Sequence, residues 1–315
     1  MIEYSKSRKQ ILLMGKDWKW WVRTGFYVSF HPWLLFPRFI YSIKRSISDI
    51  YAAFGYYKYP HRIIFIAGLA MSATTWMKNL FARVPGYYTR PTPMPEHVVY
   101  NQDICDSAFS RIPKNGYSLF KTHLEPKHEN IECIFRNGVD KVVVTYRDLR
   151  DVAVSRYHRL LDFPKPSKAF DYVDYRTMPK EKALDHSIEV IANDNVAWIR
   201  GWFEIARLYP GRVHFVRFEE MKKDTERVFR DVLIFYGIEL ADEKIAAIVE
   251  AAKGKGDVKK NLRKAPLLPW GLSSNFRSGK VGNWREELSD AHIQKCKDRL
   301  GAMLIELGYE KDLNW

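Results

Sequence analysis

The most constraining stretch of this chain is residues 62–81. Arg62-Ile63-Ile64-Phe65-Ile66-Ala67 is an apolar, largely β-branched run that ends at Gly68. A strand without polar alternation has both faces covered, which is the signature of a parallel sheet lined by helices. Small residues follow to Ala73, and Thr74 to Phe81 then reads as a helix stopped by Pro85-Gly86. The same alternation continues downstream. Strands are expected at Tyr117–Thr122, Lys141–Tyr146 and Val213–Phe218, and helices at Leu149–Leu161, His186–Leu208, Asp224–Tyr236 and Ser289–Leu307. Ile188, Ile191, Ala192, Trp198, Ile199, Trp202 and Ile205 recur at mostly three- and four-residue spacing, so that stripe is core. The expected fold is α/β, a central parallel sheet flanked by helices. Phe163–Lys182 and Lys253–Trp284 lack periodicity and are expected as long loops that wall a substrate.

Residues 1–60 have a different character from the α/β domain expected over 61–315. From Trp18 to Tyr59, aromatics (Trp18, Trp20, Trp21, Phe26, Tyr27, Phe30, Trp33) alternate with bases (Lys19, Arg23, Arg38, Lys44, Arg45). Such an extension either packs on the main domain or contacts a membrane interface. Its longest uncharged stretch, between Arg23 and Arg38, has fourteen residues, short of the ~20 needed to span a bilayer. A cytoplasmic protein, peripheral at most to a membrane, is expected. With 51 Lys and Arg against 37 Asp and Glu the net charge is +14, which favours anionic partners. Cys105, Cys133 and Cys296 are too few and too scattered for a disulfide framework or a structural zinc site. Neither a metal nor a nucleic-acid partner is expected, and oligomeric state is left open.

The segment Gly68-Leu69-Ala70-Met71-Ser72-Ala73-Thr74-Thr75 lies between strand and helix, where an α/β fold of the P-loop nucleotide-binding type holds an anion. The first amides of the helix are unpaired, and small residues let phosphate approach them. Read alone, the same turn is equally a plain strand-to-helix connection, with Thr74 and Thr75 as caps. The nucleotide-triphosphatase motif places Gly-Lys at the end of this loop; here Ala73 follows and the lysine is absent, which argues against an ATPase or GTPase. Three further segments carry matching chemistry. Lys121 and His123 share a face at a strand end. Arg147 closes another strand, with Ser155 on the next helix. Asn275-Phe276-Arg277-Ser278-Gly279-Lys280 is a basic segment suited to fold over an anion.

Taken in this order, the motifs resemble those of the sulfotransferases that use 3′-phosphoadenylyl sulfate (PAPS), especially the cytosolic type. The resemblance runs from about Arg62 to the C-terminal helix. It implies that residues Ser72 to Trp76 form the 5′-phosphosulfate loop, with Thr74 and Thr75 on phosphate and Trp76 against adenine. Arg147 and Ser155 fall on the family's 3′-phosphate pair, and Arg277 and Gly279 on its C-terminal clamp. His123 matches its base, and Lys121 could steady the sulfuryl oxygens. Phe218-Glu219-Glu220-Met221 stands where the family often has Tyr-Glu-Asp-Met.

Four departures matter. Where the family has Pro-Lys-Ser-Gly-Thr-Thr-Trp, this chain places Met71 for the lysine and Ala73 for the glycine. Ser278 replaces the clamp lysine, and Phe218 lacks a tyrosine hydroxyl. Loss of one electrostatic donor to a transition state costs about 10²–10³ in rate. The expectation is therefore a slow enzyme, one in which Lys121 or Lys280 substitutes, or a protein that binds PAPS or its product 3′-phosphoadenosine 5′-phosphate (PAP) without turnover. Lys78, one turn into the helix, is not an expected substitute. The acceptor implied is a hydroxyl or amine on a hydrophobic, lipid-like small molecule, an expectation that rests on the aromatic extension.

Overall fold

The computed structural model describes residues 36–90, 102–161, 173–253 and 279–315. Five parallel strands form one sheet in the order β2-β3-β1-β4-β5. They are β1 (Ile63–Gly68), β2 (Tyr87–Thr89), β3 (Tyr117–Thr122), β4 (Val142–Tyr146) and β5 (Val213–Arg217). The strand β1 is buried along its whole length between β3 and β4, as its unbroken apolar run requires. Chain order reverses across β1, and a crevice opens at the carboxyl ends beside such a switch point.

Helices cover both sheet faces. On one side, Ile64, Ile66, Leu119 and Val143 pack against α2 (Thr74–Phe81) and the later α8 (Thr225–Phe235) and α9 (Asp242–Lys253). The other side packs Phe65, Phe120, Val142 and Val144 against α3 (His128–Arg136), α4 (Leu149–Leu161), α5 (Lys180–Val190), α6 (Val196–Leu208) and α11 (Asp290–Glu306). The short helices α7 (Phe218–Lys223) and α10 (Trp284–Glu287) directly precede α8 and α11 in the chain.

Most expected elements are present, with shifted limits. The helix expected at His186 begins at Lys180, inside the stretch read as a loop, and a π-turn at Ile191–Asn195 interrupts it. Phe218 opens α7 instead of closing β5. The edge strand β2 has only three residues, too few to show a period. Its neighbour α1 (Phe36–Ala53) joins the extension to the domain. Tyr41 accepts from the Thr89 amide at 2.9 Å, Ser48 Oγ donates to the Gly86 carbonyl, and Asp49 accepts two bonds from buried Arg90. Tyr57 and Tyr59, just past α1, add ring contacts to Tyr117 and Tyr87.

Candidate functional site

The loop that follows β1 is wound tightly enough to turn two hydroxyls inward. Leu69 N–H donates to the Thr145 carbonyl on β4 at 3.0 Å. Ser72 Oγ lies 2.7 Å from the Leu69 carbonyl and 2.9 Å from Thr145 Oγ1, and Thr74 Oγ1 lies 3.1 Å from that same hydroxyl. Gly68 makes this possible, because a Cβ there would sit 2.0 Å from Thr145 Oγ1. Ser72 and Thr74 are thus buried fasteners of the loop. The Thr74 hydroxyl is turned to the Leu69 carbonyl and to Thr145, whereas Thr75 and Trp76 remain half-exposed.

Ala73 caps α2 in the left-handed region (φ 70°) without a side-chain cap, and Met71 also has φ 70°. Glycine adopts that conformation freely; an L-residue pays about 1–2 kcal/mol for it. The loop therefore keeps the backbone path that the missing glycine would favour. The amides at the start of α2 have no helical carbonyl to bond, so they form a positive pole.

Above this loop stand Lys121 and His123. His123 Nδ1 is 2.5 Å from the Gly68 carbonyl. A carbonyl only accepts, so Nδ1 carries the proton and Nε2 keeps its lone pair, which accepts from Lys121 Nζ at 3.1 Å. Burial, then the Lys121 charge, pushes the imidazole pKa down to about 4, against a smaller upward pull from the Gly68 bond. Burial, and then repulsion from Lys78, brings the Lys121 ammonium down to about 8.

Lys78, which the sequence did not offer as a substitute for the loop lysine, is near enough for its charge to act on Lys121. Thr74, Lys78 and Phe81 follow one side of α2 at four- and three-residue steps, the side packed on the sheet. Helical side chains lean toward the N-terminus, which carries the Lys78 stem back toward the loop. Lys280, the other expected substitute, is ion-paired through its ammonium with Glu286.

A second pole forms at the end of β4, two residues beyond the Thr145 that clamps the loop. Arg147 is buried, with its guanidinium 4.3 Å above the Phe218 ring. Its Nη1 donates to Ser155 Oγ at 3.2 Å, and its Nη2 donates to Asp151 Oδ2 at 3.1 Å and to the Lys280 carbonyl at 2.7 Å. Arg147 Nε is buried and has no hydrogen-bond partner among the described residues. The expected pair of Arg147 and Ser155 is thus brought together, with Phe218 as its floor. Asp151 also accepts from Gly282 N–H at 2.9 Å and Trp284 N–H at 3.0 Å, fastening the C-terminal segment over this pole. The i,i+4 spacing of Arg147 and Asp151 was the signal in the sequence for this pairing. Gly279 occupies the left-handed region (φ 59°) one residue before Lys280, while Arg277 and Ser278 lie outside the described residues.

Open amides at one switch-point loop and a buried guanidinium at the neighbouring strand end are complementary to a ligand that is anionic at both ends. This arrangement defines the P-loop-type class of nucleotide-binding α/β proteins. Within it the chain belongs to the sulfotransferase family: the family model described as "Sulfotransferase domain" matches residues 61–308. The chain is 28% identical to cytosolic sulfotransferase 12 of Arabidopsis thaliana over 242 residues, 70% of each chain. It is 26% identical to the flavonol 3-sulfotransferase of Flaveria bidentis, covering 76% of this chain and 82% of that one. The fold is similar to that of mouse sulfotransferase SULT7A1 complexed with PAP. The TM-score there is 0.59 at 21% identity, over 78% of this chain and 86% of that one.

Proposed function

We propose that this protein transfers a sulfuryl group from PAPS to a hydroxyl or amine of a hydrophobic small molecule, with His123 as general base. The observation that carries this reading is the double use of Gly68. Its missing side chain lets the anion loop close on Thr145, and its carbonyl holds His123 in the tautomer that offers Nε2 as a base. The anion site and the proton acceptor are therefore built on one residue. The mouse relative complexed with PAP supports the donor, and the flavonol enzyme supports an apolar hydroxylated acceptor.

The residues fit such a donor at both ends. Amides of residues 73–76 would hold the 5′-phosphosulfate, Arg147 and Ser155 the 3′-phosphate, and half-buried Trp76 the adenine. Arg277, Ser278 and Gly279 would complete the clamp. When bound, PAPS supplies an activated sulfuryl group. His123 Nε2 takes the proton of the attacking hydroxyl. Lys121 gives up its bond to that nitrogen and turns to the anionic oxygens, so base and charge become available together. Lys121, backed by Lys78, supplies the cation that Met71 cannot, and the protein is an enzyme whose loop lacks a lysine but whose site does not.

Transfer is tested with labelled PAPS and a panel of phenols, sterols and flavonols. His123→Ala should abolish transfer and leave PAP affinity within about threefold, and Lys121→Met should lower kcat by about 10²–10³. A second reading, a PAP-binding protein without catalysis, is favoured by Met71 alone. PAP binding with no transfer to any acceptor, together with a rise on Met71→Lys, would establish that reading instead.

A further inference from the structure

Helix α1 has its polarity reversed relative to an ordinary surface helix. Residues at 39, 43, 47 and 50, followed by 54 in the turn just past the helix, recur at steps of four, four, three and four, and so fall on one side. These are Phe39, Ile43, Ile47, Ile50 and Phe54, all exposed, with Phe39 at 62% and Phe54 at 85%. The opposite side carries Tyr41, Ser48 and Asp49, the residues that bond to Thr89, Gly86 and Arg90. A helix seated by its polar side leaves its apolar side facing outward, where exposure of this much apolar surface marks an interaction site.

Charge identifies the occupant. Across residues 36–62 there are five Lys and Arg (Arg38, Lys44, Arg45, Lys58, Arg62) and one acid, Asp49. That acid is turned inward and ion-paired with Arg90 at 2.5 Å. Lys44 is exposed at the margin of the apolar stripe beside Tyr51, and Lys58 is exposed just past the helix. Aliphatic wedges bordered by tyrosine and lysine, with no unpaired carboxylate, match an anionic phospholipid surface. Two copies meeting through this face would set like charges against each other. We propose that α1 seats the protein on anionic lipid, with the stripe from Phe39 to Phe54 inserted at the headgroup boundary. No helix among the described residues is long and apolar enough to cross a membrane, so the contact is interfacial.

The test uses the full chain and sedimentation with vesicles of phosphatidylcholine, with or without 30% phosphatidylserine. The wild-type protein should pellet with the anionic vesicles and only weakly with neutral ones. Ile43→Asp combined with Ile47→Asp should weaken binding more than tenfold, and Lys44→Glu about tenfold, one lysine near the surface being worth about a factor of five and its reversal more. Both changes are exposed, so thermal unfolding should not move, which separates lost contact from lost fold. Failure of the wild type to pellet overturns the proposal, as does pelleting of the double variant like the wild type or equal binding to neutral vesicles. A concentration-dependent dimer that the double variant dissolves would assign the face to a second copy instead.

Discussion

Replacing Lys121 by Met tests how the site sets the charge on its base. His123 is held at a pKa of about 4, chiefly by burial and secondly by the ammonium 3.1 Å from Nε2. Methionine keeps the bulk and the burial and removes the charge. The imidazole lies about 2.5 below its ordinary 6.5, equivalent to roughly 3 kcal/mol at about 1.4 kcal/mol per pH unit. The charge accounts for less than burial does, so Lys121→Met should raise the His123 pKa by about one, to near 5, and not to 6.5. The imidazole ring-proton resonances, followed by NMR from pH 3 to 8 with His123→Gln for assignment, read this directly. Stability reports the same linkage. Between about 4 and 6.5 the native state binds fewer protons at this site than the unfolded chain, so the contribution rises with pH and is complete above 6.5. Acidification through that window should cost the wild type roughly 3 kcal/mol at this one group and the variant about 1–2 kcal/mol. A wild-type His123 titrating near 6.5, or a pKa unmoved by Lys121→Met, would refute the placement of the ammonium and the tautomer inferred from Gly68.

Other changes probe the scaffold. Gly68→Ala drives a Cβ against Thr145 Oγ1 and Thr74 Oγ1; losing that hydroxyl cluster should cost about 3 kcal/mol in chemical denaturation and more than tenfold in PAP affinity. Arg147→Met removes the donor to Ser155 and leaves Asp151 buried without its ion pair; calorimetry should show PAP binding weakened at least thirtyfold, with Arg147→Lys recovering only part. Arg150 is buried between the rings of Trp284 and Trp315, 3.9 and 4.3 Å away, and bonds Asp148 and Glu310. Arg150→Met strands both carboxylates and should cost about 3–5 kcal/mol in thermal unfolding, with little effect on PAP affinity in the folded fraction.

Four of the sheet's five strands were legible in the residues themselves because their causes are local; the three-residue β2 was not. An apolar run of six with no polar alternation is a buried parallel strand wherever it occurs, and β1 is that strand. The turn from β1 to α2 was legible for the same reason: small residues between a strand and a helix leave amides open whatever lies beyond. Local reading does not reach a side chain's direction where that direction depends on a distant partner. Ser72 and Thr74 have hydroxyls suited to phosphate, yet Thr145, about seventy positions away, turns both inward. Lys78 looks remote when counted along its helix, but β3 sets Lys121 on the sheet face that α2 covers. Period alone shows that α1 is two-sided; only the buried Arg90, which draws Asp49 inward, decides which side meets solvent. Backbone conformation follows from neighbours in sequence. The partner of each polar group, and hence its charge state and exposure, was decided only when separate segments were packed together.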